Sequence, residues 1–535
     1  MFTTVVWAHS VLSGFAHERM SGGGDANSFE FYLGWNLHAV VNFMNPFFTP
    51  AMYAPAGLDL GNAISVPAVA LLVSPVTVTF GTTAAFNVAI LLSVFAASAA
   101  VYLLARELFG SILGATLAGA LTAVSPYLVG HGVGHLNMMW VAGMPFVVFL
   151  AARHVRRRLR TRWLVIWTAA TVAFSIGSST ELFVTQSGFA VVAAAVAIVV
   201  VPDRKRLSRT LLGSAGGGVL GILLGMPVII AAARSGIPDA VANPPSLYST
   251  DLTNIFFPTQ LVIVGDSWPE ALRSTWFGNV AENTAYIPVT LLLLMILALA
   301  TLRDRATRSL LVYAALAILA SLGPILTVAG QRTINLPWKV TEHVPGLDHA
   351  LPGRFSAFAF FALALVVASL WASRGIPRWL TATLVAASLA LLVPSTARMN
   401  YPFNTEPPPY IADGTWKHDI DRGDVVLTLP SGQNGNGMLW QTRTDFAFKT
   451  PTGNGGGAIA PPDLLRPVGR ALYLNGTADI DWRAELPTYL SERGVRTILI
   501  EDTDAGDQWR RVINKVYPGR GRLEGGVWVY VVPPV

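Results

Sequence analysis

Long apolar stretches follow one another through the first 396 residues, and they constrain the fold of this chain more than any other feature. About 20 mostly apolar residues cross the roughly 30 Å of hydrocarbon in a bilayer, and backbone that faces lipid must satisfy its own hydrogen bonds. The 535 residues are 53% hydrophobic and only 13% charged, which excludes an ordinary soluble domain. The sequence therefore predicts a polytopic α-helical membrane protein.

Arginine-rich loops between the apolar stretches predict its orientation. The strongest lies at 153–162, and others lie at 203–209, at 303–308 and around Arg374 and Arg378. Cytoplasmic loops collect Lys and Arg, so these loops are predicted to be cytoplasmic. This placement explains the net charge of +6, and no nucleic-acid partner is predicted. The absence of cysteine excludes disulfides, thiolate metal ligands and a cysteine nucleophile.

Counting spans between these loops predicts eleven transmembrane helices. The apolar stretch 63–80 is left over by this count and contains two prolines, so it is predicted to be a juxtamembrane or re-entrant helix after a first extracytoplasmic loop at 17–62. The predicted spans are 1–16, 85–105, 110–128, 138–152, 163–180, 183–201, 211–232, 286–302, 309–330, 354–373 and 379–396.

The composition changes after residue 396 to that of a soluble domain. Apolar residues at alternate positions predict strands, and helical patterns lie between them. The glycine cluster 453–457 lacks the Lys-Ser/Thr of a phosphate loop and is predicted to be a turn. We therefore expect a membrane domain over 1–396 and an extracytoplasmic α/β domain over 397–535. Its predicted strands are 424–429, 496–500 and 526–531, and its predicted helices are 481–493 and 506–516.

Ionisable residues collect on the predicted outer side, where they are expensive near a membrane unless they are paired or face water. Asp25 follows three glycines in the first loop and precedes an aromatic stretch at 31–35. It is the candidate catalytic base, and a helix N-cap is its alternative role. The other candidates are Glu30, His131, His135, Glu181, Asp251, Glu282, Lys339, His343, Asp348, His349 and Arg354.

Several of these residues also have a purely structural interpretation. Glu181, Asp251 and Glu282 could cap or pair groups in ordered loops, and Lys339 could meet lipid headgroups. Arg354 could anchor the outer end of its span. The two histidines at 131 and 135 lack the glutamate of a HExxH helix, so polar packing or acceptor contact is favoured over metal binding. No metal site and no cofactor are predicted, although a divalent metal is not excluded.

The order of motifs resembles that of the GT-C membrane glycosyltransferases, which use polyprenyl-phosphate sugars and include the protein O-mannosyltransferases and aminoarabinose transferases. The strongest resemblance is to actinobacterial members, and it covers nearly the whole membrane part. The motifs that carry it are Gly24-Asp25, Asn45-Pro46, Tyr53-Ala-Pro55, 103–110, Ser125-Pro126-Tyr127, 134–137, 248–251, Phe257-Pro258, Gly278-Asn279 with Glu282, and 352–355.

This resemblance implies an inverting glycosyltransferase of the plasma membrane, acting in cell wall biogenesis with its active site outside the cytoplasm. Asp25 would take the proton of the acceptor hydroxyl, and Arg354 would bind the donor phosphate. The partners implied are a polyprenyl-phosphate-linked sugar donor, a glycan, lipid or protein acceptor, and membrane lipids. Sugar-site contacts are implied for Glu30, His131, His135, Glu181, Asp251, Glu282, Lys339 and His349.

Two other functions are compatible with the sequence. A transporter or flippase of a lipid-linked sugar would place its charges near the midplane and show paired halves, and no such duplication is visible. A non-enzymatic assembly protein of the cell envelope would use the C-terminal domain to bind a partner, but eleven spans are more than an anchor needs.

Overall fold

A computed structural model describes the chain except for residues 1–5, 10, 23–24, 237–242, 344–349, 374–375, 433–434, 456–465, 477–479 and 534–535. The described part is mostly helical. Its α-helices are α1 (Ala26–Val41), α2 (Pro67–Phe109), α3 (Ile112–Ala123), α4 (Pro126–His131), α5 (Gly143–Val155), α6 (Thr161–Ser178), α7 (Thr180–Val200), α8 (Arg204–Leu224), α9 (Met226–Ser235), α10 (Glu270–Arg273), α11 (Val289–Thr301), α12 (Arg305–Ser321), α13 (Ser356–Ala372), α14 (Arg378–Leu391), α15 (Pro409–Ala412), α16 (Gly437–Arg443), α17 (Pro467–Leu474), α18 (Trp482–Arg493) and α19 (Asp504–Val516).

The strands form three two-stranded ladders and one four-stranded sheet within the described residues. The ladders pair β1 with β6, β2 with β3, and β4 with β5. The strands are β1 (Glu18–Arg19), β2 (Phe48–Thr49), β3 (Leu58–Asp59), β4 (Ile325–Val328), β5 (Gln331–Asn335), β6 (Phe403–Asn404), β7 (Val425–Leu429), β8 (Val495–Glu501), β9 (Arg522–Glu524) and β10 (Val527–Val531).

Six helical segments of the described chain are long and apolar enough to cross a membrane. Three more apolar helices, α9, α11 and α14, have 10, 13 and 14 residues, and at 1.5 Å per residue the longest of them covers about 21 Å. The predicted count of eleven spans therefore stays a prediction. The six segments are Pro67–Phe109, Ile112–His131, Leu136–Val155, Thr180–Val200, Arg204–Leu224 and Pro352–Ala372.

Three predicted spans differ from the helices in the structure. In the predicted first span, residues 11–16 form turns and bends, so the helix does not extend to Ala16. The span predicted over 309–330 is wrong at its end, because α12 stops at Ser321 and β4 follows. The span predicted over 211–232 is divided between α8 and α9. Apolar periodicity did not locate these ends because turns and strands in this chain are also apolar.

The two stretches 63–80 and 85–105 form one helical segment, α2, with a break between them. Gly81 has φ of 85° and ψ of 176° inside it, a conformation open to glycine because it lacks a Cβ. The two apolar stretches are therefore separate helices joined at a glycine. Of the two predicted interrupting prolines, Pro67 begins the segment and Pro75 lies within it.

The chain divides into two compact units, and unit 1 comprises Met1–Ser13, Ala89–Pro227 and Asp239–Pro402. Within unit 1, α6 packs closely on α8 through glycines one turn apart. A Cβ added at Gly217 would lie 2.7 Å from the Val165 carbonyl oxygen, and one at Gly221 would lie 2.7 Å from the Ala169 oxygen. This is the small-residue packing that membrane helices use for close contact. Helix α13 is buried from Ser356 to Leu370.

Unit 2 comprises Gly14–Val88, Val228–Pro238 and Phe403–Val535. Its four-stranded sheet has the order β7-β8-β10-β9, with β7 parallel to β8 and the other pairs antiparallel. One hydrophobic core contains residues of α18, α19 and β8, among them Trp509 and Ile498. Trp440 and Val529 belong to a second core. The strands and helices predicted for the C-terminal region are all present. Unit 2 also includes α1 and the first part of α2.

Candidate functional site

Five predicted site residues meet in unit 1 and are called here the Arg354 cluster: Arg354, Glu282, Glu181, His131 and His135. Each comes from a turn or from the start or end of a helix. Arg354 belongs to a 3₁₀ turn, Pro352–Phe355, that leads directly into α13, and Glu181 lies in the first turn of α7. His131 ends α4. The sequence separation between members reaches 223 residues, so only the fold unites them.

Glycines allow the loops of this cluster to approach one another. A Cβ at Gly353 would lie 3.0 Å from the carbonyl oxygens of both Glu282 and Tyr248, and one at Gly130 would lie 2.7 Å from the Ala281 oxygen. Asn279 holds the turn that carries Glu282, because its Oδ1 accepts hydrogen bonds from the backbone N–H groups of Ala281 and Glu282. The close approach of backbones thus fixes where the Arg354 side chain begins.

The Arg354 guanidinium is held between two carboxylates. Nε donates to Glu282 Oε2 at 2.9 Å, and Nη2 donates to Glu282 Oε1 at 2.5 Å, which is a bidentate pair. On the other side, Nη1 donates to Glu181 Oε1 at 2.6 Å and to Met138 Sδ at 3.2 Å. The Glu282 side chain is 3% exposed and that of Glu181 is 39% exposed. The cluster therefore has an inner, buried carboxylate and an outer, accessible one.

The charges of the cluster favour an ionised Glu282. Burial raises the pKa of its carboxyl, but the charge of Arg354, with its hydrogen bond, outweighs burial and lowers the pKa to about 2. One guanidinium and two carboxylates leave one net negative charge when both histidines are neutral. Arg354 can accept an anion only where Glu181 gives way, because the opposite edge of the guanidinium is held by Glu282.

The two histidines form the remaining side of the cluster. His131 Nδ1 lies 3.1 Å from His135 Nδ1 in a hydrogen bond, and His131 Nε2 lies 3.9 Å from Glu282 Oε2. The imidazole of His131 is fully buried, and its Nε2 has no hydrogen-bond partner among the described residues. These two histidines and Glu282 offer ligand atoms within 4.8 Å of one another. Two imidazoles and a carboxylate suit a divalent ion such as zinc, so these residues would hold a metal if the reaction required one.

Asp25 lies in unit 2, where a glycine-containing segment of the C-terminal region approaches it. Asp25 occupies the N-cap position of α1, but its side chain makes no capping hydrogen bond. Instead, Asn454 Nδ2 donates to Asp25 Oδ1 at 3.1 Å. Asp25 is half-buried and Asn454 is 1% exposed. The structure therefore does not support a helix-capping role for the Asp25 side chain.

The segment that carries Asn454 is tied to α1 and its surroundings along its backbone. Ser28 donates to the Asn454 carbonyl oxygen at 3.1 Å, Tyr53 to that of Gly453 at 2.6 Å and Tyr32 to that of Gly455 at 2.5 Å. Burial, with Tyr53 and Asp25 nearby, raises the pKa of Tyr32 well above its usual value, so its hydroxyl stays a donor. We call residues 453–455 the glycine strap. Its position beside the candidate base was not foreseen, since the sequence predicted only a turn.

Two of the predicted contact residues are already occupied by structural partners. Glu30 is fully buried, its Oε1 accepts from Arg19 Nη1 at 2.9 Å, and its Oε2 accepts from Thr82 and Thr83 at 2.9 Å. Asp251, 2% exposed, accepts hydrogen bonds from Thr253 and from the backbone N–H groups of Ala329 and Gly330 in the β4–β5 turn. Because these partners occupy the carboxylate oxygens, both side chains hold the local structure together.

The remaining two predicted contact residues are Lys339 and His349. Lys339 lies half-buried in the 3₁₀ segment Pro337–His343, and its neighbour Trp338 packs edge-on against Phe355 with ring centroids 5.1 Å apart. His349 lies outside the described residues, as does Asp348. The sequence placed Tyr127 in a motif but gave it no role, and it did not single out Met138. The Tyr127 ring lies 4.3 Å from that of His131, and the Tyr127 hydroxyl donates to the Met138 carbonyl oxygen at 3.0 Å. The serine and proline that begin α4 were the one available signal for Tyr127.

Solved structures with a similar fold are membrane glycosyltransferases. The mycobacterial arabinofuranosyltransferase AftD matches 100% of this chain and 40% of its own, at 15% identity and a TM-score of 0.60. The apo oligosaccharyltransferase of Archaeoglobus fulgidus matches 94% of this chain and 68% of its own, at 14% identity and a TM-score of 0.54. This chain spans about two fifths of the length of AftD. No curated protein matches the sequence.

These neighbours and the apolar helices define the class: this is a multi-pass membrane protein with the GT-C fold. The family is shown by a match to the sequence itself. Residues 1–393 match the family described as Domain of unknown function (DUF6311), so the chain belongs to the DUF6311 family. The resemblance to GT-C enzymes that the motifs indicated is confirmed at the level of the fold.

Proposed function

We propose that this protein is an inverting glycosyltransferase that moves a sugar from a polyprenyl-phosphate donor to a hydroxyl of a glycan, lipid or protein acceptor outside the cytoplasm. The observation that carries the proposal is the GT-C fold over the whole chain, shared with an arabinofuranosyltransferase. A structure of the archaeal oligosaccharyltransferase AglB, with a TM-score of 0.51, holds a dolichol-phosphate, which supports a lipid-phosphate donor here. A fold hosts many functions, so the chemistry is argued from the residues.

The proposed reaction is a single displacement. The acceptor oxygen forms a bond to the anomeric carbon as the bond from that carbon to the phosphate oxygen breaks, and the leaving group is polyprenyl phosphate. Asp25 takes the proton of the acceptor hydroxyl. One displacement inverts the anomeric centre and needs no carboxylate nucleophile. The hydrogen bond from Asn454 holds the Asp25 carboxylate in one orientation for this task.

Arg354 is proposed to bind the donor phosphate in exchange for Glu181. A guanidinium binds phosphate oxygens as it binds carboxylate oxygens, and it keeps its charge when buried. Glu181 is the outer carboxylate, at 39% exposure, and its oxygen occupies the place of a phosphate oxygen on Nη1. Glu282 remains bound on the opposite edge and keeps the guanidinium plane fixed. Glu181 thus competes with the donor.

The proposal is tested by sugar transfer with purified protein in lipid. Labelled polyprenyl-phosphate sugars and a membrane glycan extract serve as substrates, and wild type is compared with Asp25→Asn. We expect transfer from one donor, and we expect Asp25→Asn to lower the rate by about 10²–10⁴-fold while donor binding is retained. Asp413→Asn, which changes an exposed acid in the same unit, should leave the rate unchanged. Transfer that is normal in Asp25→Asn would remove Asp25 from the mechanism.

Replacing Glu181 tests the role of Arg354. Because Glu181→Gln weakens the competitor of the phosphate, we expect the donor Kd to fall by a few fold, about the effect of one partly exposed ion pair. Arg354→Lys keeps the charge but loses the bidentate geometry, so donor binding should weaken. Glu270→Gln, an exposed acid of unit 1, is the matched control. A donor Kd that is unchanged or higher in Glu181→Gln would contradict the exchange.

A further inference from the structure

The arginine-rich loop 153–162 borders an open cleft at the surface. The cleft has a volume of about 490 Å³ and is lined by Arg157, Arg158, Leu159, Arg160, Thr161 and Arg206. We call it the arginine cleft. Four of its six lining residues are arginines, and the guanidinium group is the side chain best suited to bind phosphate oxygens in pairs. A lining with four arginines favours the binding of an anion.

One buried acid holds the base of the loop. Glu107 is 7% exposed and lies 3.1 Å from Arg158 Nη1, 3.6 Å from Arg156 Nη1 and 3.9 Å from Arg153 Nε. Arg156 also donates to the carbonyl oxygen of Leu108 at 3.2 Å. Since one carboxylate serves three guanidinium groups, the loop keeps a large excess of positive charge.

The backbone of the cleft is fixed by α5, α6 and α8. His154 at the end of α5 bonds Thr210 of α8 through Nδ1 at 2.7 Å and Thr161 of α6 through Nε2 at 3.0 Å. Arg206 Nε donates to the His154 carbonyl oxygen at 2.9 Å. Between these helices Arg157 has φ of 61°, in the left-handed region that costs a non-glycine residue free energy. The hydrogen bonds of His154 and Arg206 thus fix the loop that carries Arg157 against α5, α6 and α8.

Among the described residues, Glu107 and Asp203 only partly balance the four arginines that line the cleft. The nearby carboxylate of Asp203 caps α8 by accepting from the backbone N–H of Arg206 at 2.9 Å. Helix α6 begins after Arg160, which makes no side-chain cap, so cationic side chains stand at the positive end of the helix dipole. That arrangement is unfavourable by itself, whereas a bound anion would interact favourably with the helix dipole.

The level of the cleft along the helices favours an anion that belongs to a lipid. The segments Leu136–Val155 and Arg204–Leu224 are both apolar enough to span a membrane; the first ends beside the cleft and the second begins there. Trp163, one turn into α6, is 42% exposed, and Arg162 lies 5.5 Å above its ring. Exposed tryptophan beside arginine is typical of the membrane interface, where lipid phosphates lie.

We propose that the arginine cleft binds the phosphate of an anionic lipid headgroup. The guanidinium groups of Arg157, Arg160 and Arg206 contact the phosphate oxygens, and the acyl chains lie along the apolar faces of α5, α6 and α8. This site is independent of glycosyl transfer and of the Arg354 cluster, because none of its residues belongs to that cluster.

The experiment measures lipid binding to the full-length protein in detergent by native mass spectrometry. Phosphatidylglycerol and phosphatidylcholine with identical acyl chains are titrated into wild type, into Arg157→Gln/Arg160→Gln and into Arg303→Gln/Arg308→Gln. The last variant removes the same charge from another arginine-rich loop, at exposed residues. Wild type should prefer phosphatidylglycerol, and the cleft variant should lose about 30-fold in affinity for it, equivalent to two surface charges. The control should retain wild-type binding.

Further measurements separate the alternatives. Arg157 and Arg160 are exposed, so both variants should fold, and the single variant Arg160→Gln should lose about fivefold. Glycerol phosphate carries the headgroup phosphate without acyl chains, and it should not displace phosphatidylglycerol at equal concentration. Displacement at equal concentration would overturn the assignment to lipid in favour of a soluble phosphate. Equal losses in the cleft and control variants, or no loss in either, would overturn the site itself.

Discussion

At the scale of single residues, the two carboxylates that hold Arg354 differ in burial. The Glu282 side chain is 3% exposed, whereas that of Glu181 is 39% exposed. Removing one partner from a buried pair leaves the other charge uncompensated and costs about 3–5 kcal/mol, whereas exposed pairs contribute about 0–1 kcal/mol. We therefore expect Glu282→Gln to lower the unfolding temperature clearly and Glu181→Gln to change it little, both measured in nanodiscs. Equal effects would show that burial does not distinguish the two carboxylates.

Acid should abolish the contribution of Glu282 to the free energy of unfolding over a defined pH range. The folded-state pKa is about 2, below the ordinary value of 4.5. A group whose pKa is lowered on folding stabilises the protein above its unfolded pKa and loses that effect as pH falls through its folded pKa. The stability difference between wild type and Glu282→Gln should be constant from pH 7 to 5, shrink below 4.5 and vanish near 2. A difference that persists at pH 2, or disappears above 5, would contradict the assigned pKa.

The sequence identified the residues of the Arg354 cluster but not their pairing. Charged residues in an apolar chain are conspicuous, so Arg354, Glu282, Glu181 and both histidines could be selected. Which carboxylate would be buried depends on the turn held by Asn279 and on the close approach at Gly353. Both residues lie in motifs, but the motifs do not show which carboxylate comes to lie beside Arg354. Glu30 looked equivalent to them and is instead paired with Arg19 inside unit 2.

At the scale of elements, the glycine strap 453–455 connects the C-terminal region with Asp25. A Cβ at Gly453 would lie 2.6 Å from Met52 Sδ and 2.9 Å from Met52 Cγ, and Met52 is fully buried. Either Met52 or the strap must move in Gly453→Ala, and because Met52 is fully buried we expect the strap to shift and to move the Asn454 amide from Asp25. If Asp25 is the base, we expect turnover to fall about tenfold or more with donor binding unchanged.

Gly476→Ala is the matched control for this substitution, because nothing lies within 4 Å of its added Cβ. It should retain wild-type turnover. Both variants are first compared by thermal unfolding, and Asn454→Ala should reproduce the loss seen in Gly453→Ala if the amide is the relevant group. Normal turnover in Asn454→Ala would show that the strap does not position Asp25.

Secondary structure in the C-terminal region followed from local patterns, whereas three of the predicted membrane spans did not end where hydropathy indicated. Alternating apolar residues at 424–429 correctly predicted β7, and the apolar run at 496–500 correctly predicted β8 as a buried strand. In contrast, the 309–330 stretch is apolar throughout, yet α12 ends at Ser321 and the chain turns at Gly323, which has φ of 71°. A Cβ there would fall within 2.7 Å of Ser249 side-chain atoms, a long-range contact that composition does not report.

At the scale of the whole molecule, the remaining question is which loops face the cytoplasm. The arginine-rich loops predict it through the bias of Lys and Arg toward the cytoplasmic side. The natural chain has no cysteine, so single cysteines can be introduced without removing any. Ser208, Ser274 and Ser491 are exposed and differ from cysteine by one atom.

We expect a membrane-impermeant maleimide to label Ser274→Cys and Ser491→Cys in intact cells, and Ser208→Cys only after the membrane is permeabilised. Ser208 lies beside the arginines of 203–209, Ser274 lies in the acidic and polar loop before α11, and Ser491 lies in the C-terminal region. Labelling of Ser208→Cys in intact cells together with protection of Ser274→Cys would invert the predicted orientation. Protection of Ser491→Cys alone would place the C-terminal region in the cytoplasm, where an extracytoplasmic acceptor could not reach the glycine strap, and the role proposed for Asp25 would fail with it.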